Sequence, residues 1–132
     1  MNIIKGIITK IDSHEGISIV HIQSNNILFK SVVLEDVDSA DYLRIGNEIK
    51  VMFKETEVII VNKNDESISL RNRIKCTILN IEKGVLLSKL QLKFEGGELC
   101  SIITSEAVEK LKLKTNTSVT AMIKTNEIMI SE

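Results

Sequence analysis

The chain has no proline and no tryptophan, and in 132 residues it carries one tyrosine, three phenylalanines, two cysteines and two histidines. Without proline, nothing in the sequence interrupts a β ladder. So few aromatics argue against single-stranded nucleic acid as a ligand, because such surfaces stack bases on aromatic platforms along a basic groove. Phe29 and Phe53 also fall inside apolar strand patterns and read as core. A net charge of −1 supplies no field to gather nucleic acid or an anionic membrane. No apolar run approaches the ~20 residues that span a bilayer. The first residues form a strand-like pattern and not a signal-peptide core, so the expected location is cytoplasmic.

Reactive groups are equally scarce. Cys76 and Cys100 suggest no disulfide framework and read as structural thiols. His14 and His21 have no His, Asp or Cys at metal spacing, so no metal site is expected. There is no Gly-rich phosphate loop, no GxGxxG, no GxSxG elbow and no Cys/His pair at useful spacing. With no nucleophile and base to name, the chain is expected not to be an enzyme.

What the chain does have is a duplication. Asn2 onward aligns with Asn72 onward at a constant offset of 70, with no gap. Ile4, Lys5, Ile8 and Ile11 fall on Ile74, Lys75, Ile78 and Ile81; Ser31-Val32-Val33 falls on Ser101-Ile102-Ile103. Leu43, Ile49, Met52 and Lys54 fall on Leu113, Val119, Met122 and Lys124. An ungapped register kept over about 60 residues marks an internal repeat. It divides the chain into a first repeat (1–62), a polar linker with the lead-in to the second repeat (63–71) and a second repeat (72–132). A unit of roughly 60 residues buries only about 60% of its unfolded surface and is marginal alone. The two are expected to pack together, and the chain to associate with further copies.

Each repeat reads as strand, strand, strand, short helix, strand, strand. β-Branched runs such as Ile3-Ile4 and Ile7-Ile8 favour pleated, half-buried surface. Asn25-Asn26 and Gly96-Gly97 are turn chemistry. Glu35 to Leu43 suits a short helix or helical turn, and its counterpart begins with a better cap, Thr104 or Ser105 with Glu106 in the first turn. Glu48–Lys54 and Glu57–Val61 are expected to close a last hairpin around Glu55-Thr56. The fold class is therefore all-β: two tandem OB-like five-stranded barrels with one short helix per repeat.

The second repeat concentrates hydrogen-bond donors. Ser69, Arg71 and Asn72 lead into its first strand, Thr104 and Ser105 open its helix, and Lys124 and Thr125 lie at its last turn. Such a set could enclose an oxyanion, which surrenders many water hydrogen bonds on burial. Helix-start N–H groups add to it, and each charge-assisted bond is worth about 1.5–3 kcal/mol. The plain alternative is a solvated linker, an N-cap and a turn lysine. The residues alone leave these two readings level.

Motifs tip the balance. Ser69-Leu70-Arg71-Asn72, Ile81-Glu82-Lys83-Gly84, Ile103-Thr104-Ser105-Glu106-Ala107, Leu111 and Leu113 before Lys114, and Ala121-Met122-Ile123-Lys124-Thr125 follow one another through the second half. In this combination the second half resembles the molybdate/tungstate-binding Mop domain, also called the TOBE domain. The whole chain resembles a tandem, molbindin-like di-Mop protein. The first half shares the apolar pattern and Lys54, has Leu34 at the Thr104 position and lacks the Ser-x-Arg-Asn signature.

The resemblance implies a non-catalytic cytoplasmic protein that stores or buffers molybdate or tungstate. The anion would be held by hydrogen bonds alone, with no metal ligation and no cofactor. Binding would fall between Mop units, in a homo-oligomer, dimer or trimer. By position, the oxyanion-binding residues would be Ser69, Arg71, Asn72, Thr104, Ser105, Ala107, Lys124 and Thr125. Ala107 stands where the family often has a serine, so one hydroxyl is lost. Sites are expected to be complete only around the second repeat. The alternative kept open is an anion-sensing module that acts on a separate transcription factor or transporter; an OB-type nucleic-acid binder is more distant.

Overall fold

A computed structural model of the chain describes residues 1–62 and 67–132. Residues 63–66 of the expected polar linker lie outside the described residues. Among the described residues, ten strands form two five-stranded antiparallel sheets. The first half supplies β1 (Asn2–His14), β2 (Ile17–Ser24), β3 (Ile27–Val33), β4 (Glu48–Phe53) and β5 (Ile59–Val61). The second supplies β6 (Asn72–Lys83), β7 (Leu87–Phe94), β8 (Gly97–Thr104), helix α1 (Ser105–Lys110), β9 (Ser118–Ile123) and β10 (Met129–Ser131).

Alternation decides the faces. Asn2 to Ile8 alternates buried and exposed, and Leu87 to Phe94 does so throughout. This is the period of a strand with one face on a core. Ile8, Val20, Ile22, Phe29, Leu43, Val51 and Phe53 of the first half are fully buried, as are Ile78, Leu90, Leu92, Ala121 and Ile123 of the second. All belong to one continuous apolar cluster. Phe29 and Phe53 are core side chains, as expected, with ring centroids 6.4 Å apart.

The duplication holds in fine detail. β1 and β2 shift register between Ile8 and Lys10, and β6 and β7 shift between Ile78 and Asn80, the same place in each repeat. These irregularities let each long strand bend and help curl the sheet. At the bend, Gly46 donates to the Ile8 carbonyl, and Asn116 to that of Ile78, both at 2.7 Å.

Two expectations need correction. β4 and β5 do not form a hairpin. The chain leaves β4 at Lys54, makes a 3₁₀ turn at Glu55–Glu57, and delivers β5 to the other sheet. There Ile60 pairs with Ala121. In return β10 crosses to the first sheet, where Ile130 pairs with Val51. The sheet orders are β10-β4-β1-β2-β3 and β5-β9-β6-β7-β8. An extended Lys54 (ψ 148°) and Lys124 (ψ 142°) carry the chain outward in both repeats.

The second correction concerns the helix expected in Glu35–Leu43: only the helical turn forms, with Ala40 N donating to Asp36 O, within a run of turns. Leu34 cannot cap a helix as Thr104 does, and Asp36 Oδ1 instead accepts from the N–H groups of Asp38 and Ser39 at 3.1 and 3.0 Å. An Asx-type turn wins over the helix.

Buried polar side chains join the halves. Asn72 accepts from Lys30 N at 2.7 Å and donates to Lys30 O at 2.9 Å. Asn2 makes the same pair of bonds with Cys100. Ser31 Oγ donates to Ile128 O at 2.7 Å, and Ser101 Oγ to Val58 O at 2.9 Å. Each contact recurs with the halves interchanged, as a two-fold-like relation requires.

Candidate functional site: two unequal copies of one edge

The residues singled out from the sequence fall into two groups. The first gathers where β6 begins and β9 ends. Asn72 pairs with Ile123 across the ladder, so Arg71 and Lys124 leave the sheet at the same end. Ser69, Arg71 and Lys124 are exposed, and Thr125 is half-buried. Lys124 sits at the N-terminal end of the 3₁₀ turn Thr125–Glu127, and its carbonyl accepts from Glu127 N at 2.9 Å.

The loop before β6 is braced by arginines. Arg71 donates to the Ile68 carbonyl. Arg73, just past the Ser69–Asn72 motif, donates from Nε to Leu70 O at 2.9 Å and from Nη2 to Ile68 O at 3.1 Å. A guanidinium has five N–H donors, so Arg71 retains others for a ligand. The signal for Arg73 was its spacing: two residues beyond Arg71, it lies on the same face of the strand.

Asn72 lies beside this group but turns the other way. It is fully buried, and both ends of its amide are taken by Lys30.

The second group is Thr104, Ser105 and Ala107, at the start of α1. Thr104 is the N-cap, and its Oγ1 accepts from Ala107 N at 3.1 Å. Ser105 is buried, donates to Gly84 O at 2.7 Å and meets Ser88 Oγ at 2.8 Å. Its single hydroxyl hydrogen goes to Gly84, so Ser88 supplies the hydrogen between the two serines. Ser105 N donates to Leu86 O. The N–H groups of Ser105 and Ala107 are thus engaged, and the Thr104 hydroxyl is the exposed donor here.

One chain does not bring the two groups together. Thr104 and Ala107 line a cleft with Thr56, Val58 and Ile60 of the first half, beneath the Glu55–Glu57 turn. The turn after Lys124 packs instead on β3 of the first half. The structure therefore shows the same edge twice, each time completed by the opposite half. One copy has Arg71, Lys124 and Thr125, with its turn on β3; the other has Lys54, Glu55 and Thr56, with Thr56 lining a cleft with Thr104.

Elsewhere the polar groups are structural. Burial pushes the Cys76 thiol up to about 12. The described residues include no cluster of three or more His, Cys, Asp or Glu able to hold a metal ion, and no helix long and apolar enough to cross a membrane.

Comparison with known proteins gives this geometry a context. The TOBE domain family matches residues 68–130. Molybdenum-pterin-binding protein 1 of Clostridium pasteurianum is 38% identical over 65 residues, covering 48% of this chain and 96% of that protein. The chain belongs to the molybdate-binding Mop family.

A second relative, the molybdenum transport protein ModE of Herbaspirillum seropedicae, is 29% identical over 91 residues, 67% of this chain and 34% of that one. Among solved structures, the cytoplasmic molybdate-binding protein ModG, with molybdate bound, superposes with a TM-score of 0.91 at 26% identity. That match covers 98% of this chain and 94% of ModG. The whole two-repeat architecture is thus that of a tandem Mop protein. The family is a binding module and not an enzyme.

Proposed function

We propose that the chain binds molybdate or tungstate as an intact oxyanion in the cytoplasm, and serves to store or buffer it. The observation that carries this reading is the donor group at the start of β6 and the end of β9: Ser69, Arg71, Lys124 and Thr125, at one end of one strand pair. A tetrahedral dianion suits it. Arg71 and Lys124 supply charge-assisted bonds worth about 1.5–3 kcal/mol each, and neutral hydroxyls add direction.

Leu34 takes the Thr104 position in the first half, and Thr104 lies at the other edge. A full donor set therefore takes a second copy, whose Thr104 would complete it. Binding at contacts between Mop units in a homo-oligomer, dimer or trimer, follows from that need. The anion requires no metal ligand and no cofactor.

The test is a calorimetric titration of folded, anion-free protein with molybdate, tungstate and sulfate. Saturable heat with the first two and none with sulfate is expected. No heat with any of the three ends the proposal.

The similarity to ModE over 67% of this chain favours a second reading, an anion-sensing module with a separate protein partner. A pull-down with and without molybdate decides it: no partner under either condition removes it. A base-stacking surface finds no support, because Phe29, Phe53 and Phe94 are all buried.

A further inference from the structure

Three large aliphatic side chains stand in a row where β6 turns into β7, and all three face solvent. Val85 is 95% exposed, Leu86 79% and Leu87 56%. Single exposed apolar residues are ordinary, but a consecutive run is unfavourable on a free surface and marks a place that something covers. The run belongs to the second half alone: at the offset of 70, Glu15 and Gly16 stand in place of Val85 and Leu86. The turn itself does not need these side chains. It is closed by backbone bonds, Gly84 N to Leu87 O at 2.9 Å and Ser105 N to Leu86 O at 2.8 Å.

The turn also lies beside Thr104. Leu87 pairs directly with Thr104 in the β7–β8 ladder, so the two side chains are neighbours on one face of the sheet. They line one cleft with Ile59, itself 45% exposed. The exposed hydroxyl that the oxyanion reading sends to a second copy is thus set in apolar surface. The loop it would approach has a matching character. There Ile68 and Leu70 alternate with Ser69 and Arg71, Ile68 exposed and Leu70 half-buried. The carbonyls of Ile68 and Leu70 are held by Arg71 and Arg73, which fixes that loop.

We propose that Val85, Leu86 and Leu87 are the docking surface for a second copy of this chain, and seat on the loop 68–70 of that copy. This rests on the oxyanion reading above, in which Thr104 completes the donor set of a second copy. Thr104 and the apolar run are one continuous surface, so whatever receives the hydroxyl also covers the aliphatic side chains. The contact has a chemical role. Apolar side chains that close around the anion exclude water, and bonds from Arg71 and Lys124 strengthen as the local dielectric falls. Association and anion binding are then linked, and each favours the other.

The experiment is sedimentation velocity on the full chain over a range of protein concentrations, with and without sodium molybdate, paired with calorimetric titration of the same samples. The proteins are wild type, Val85→Ser combined with Leu86→Ser, and Ile45→Ser, which removes a 71% exposed isoleucine from the first half. Circular dichroism confirms folding of each. The double variant should need at least about tenfold more protein than wild type to associate. Its molybdate affinity should fall in dilute solution and recover as protein is concentrated, while Ile45→Ser should match wild type. Association of the folded double variant at wild-type concentrations overturns the inference and leaves the oxyanion reading intact. So does molybdate binding by a wild type that stays a single chain, and so does equal weakening in Ile45→Ser. Association that is lost in the double variant, with no heat from molybdate in any protein, overturns the oxyanion reading and upholds the docking surface. Neither association nor heat in any of the three overturns both.

Discussion

The Asn72 side chain holds the Lys30 backbone at both ends, accepting from its N–H at 2.7 Å and donating to its C=O at 2.9 Å. Asn72 lies in the second half and Lys30 in the first, so one amide takes the role of two ladder bonds between strands that do not pair. Asn72→Ala leaves a buried donor and acceptor unmatched, which costs about 2–4 kcal/mol. Urea unfolding should show that loss in the midpoint. A loss below about 0.5 kcal/mol would mean that water replaces the amide without penalty.

Exchange of the last strands makes a regional prediction. Deleting residues 128–132 removes β10 from the sheet of the first half, although those residues belong to the second half in sequence. Hydrogen exchange should quicken at the β4 amides that face β10, while β9 keeps its β5 partner. Loss of protection in β9 with β4 unchanged would contradict the exchanged pairing.

At the proposed anion edge, Arg71→Ala and Lys124→Ala should each weaken molybdate binding by about 10- to 150-fold, the equivalent of one charge-assisted bond. Thr104→Ala removes a hydroxyl but also a helix cap, at about 1 kcal/mol in stability. Thr104→Ser keeps both and should restore binding. If Thr104→Ala binds like wild type at full occupancy, no second copy lends its hydroxyl to the site.

Alkaline pH should destabilise the fold in part through Cys76. Its thiol is pushed from 9.0 to about 12 by burial, with a small opposing contribution from a backbone hydrogen bond at Ala121. Between those values the unfolded chain releases this proton and the folded one keeps it. Stability from this group is complete below about pH 9 and is lost as pH rises towards 12. Tyr42, raised from 10.0 to about 12 by burial and by the Glu35 carboxylate that accepts its hydroxyl, acts in the same direction. Urea midpoints from pH 8 to 11 should fall less steeply in Cys76→Ala than in wild type. Parallel slopes would remove Cys76 as a contributor.

Strand identity was legible because it is written locally. β3 and the first residue of β6 fall where alternation places them, and the repeat of the pattern exposed the duplication. Strand partners were not legible. Ile60 and Ile130 occupy equal places in the two repeats, so either satisfies the β4 pattern around Val51, and the choice depends on where the chain goes after Lys54. The signature residues were visible as polar groups, but their orientation was not. Asn72 reads as a donor beside Arg71 and turns inward to Lys30; Ser105 reads as a helix opener and is buried against Gly84 and Ser88. A polar residue that recurs at the repeat offset, as Asn2 with Asn72 and Ser31 with Ser101 do, was the available sign of a buried contact between halves.

Because β5 and β10 trade places, a polypeptide made of one half alone would lack a strand and would have to obtain it from another molecule. Its folding would be a bimolecular event, favoured by concentration and reversed by dilution. Joining the halves in one chain turns the same encounter into a unimolecular one, at an effective concentration on the order of millimolar for a short tether. The mutual strand loan then forms equally well in a dilute and in a crowded solution.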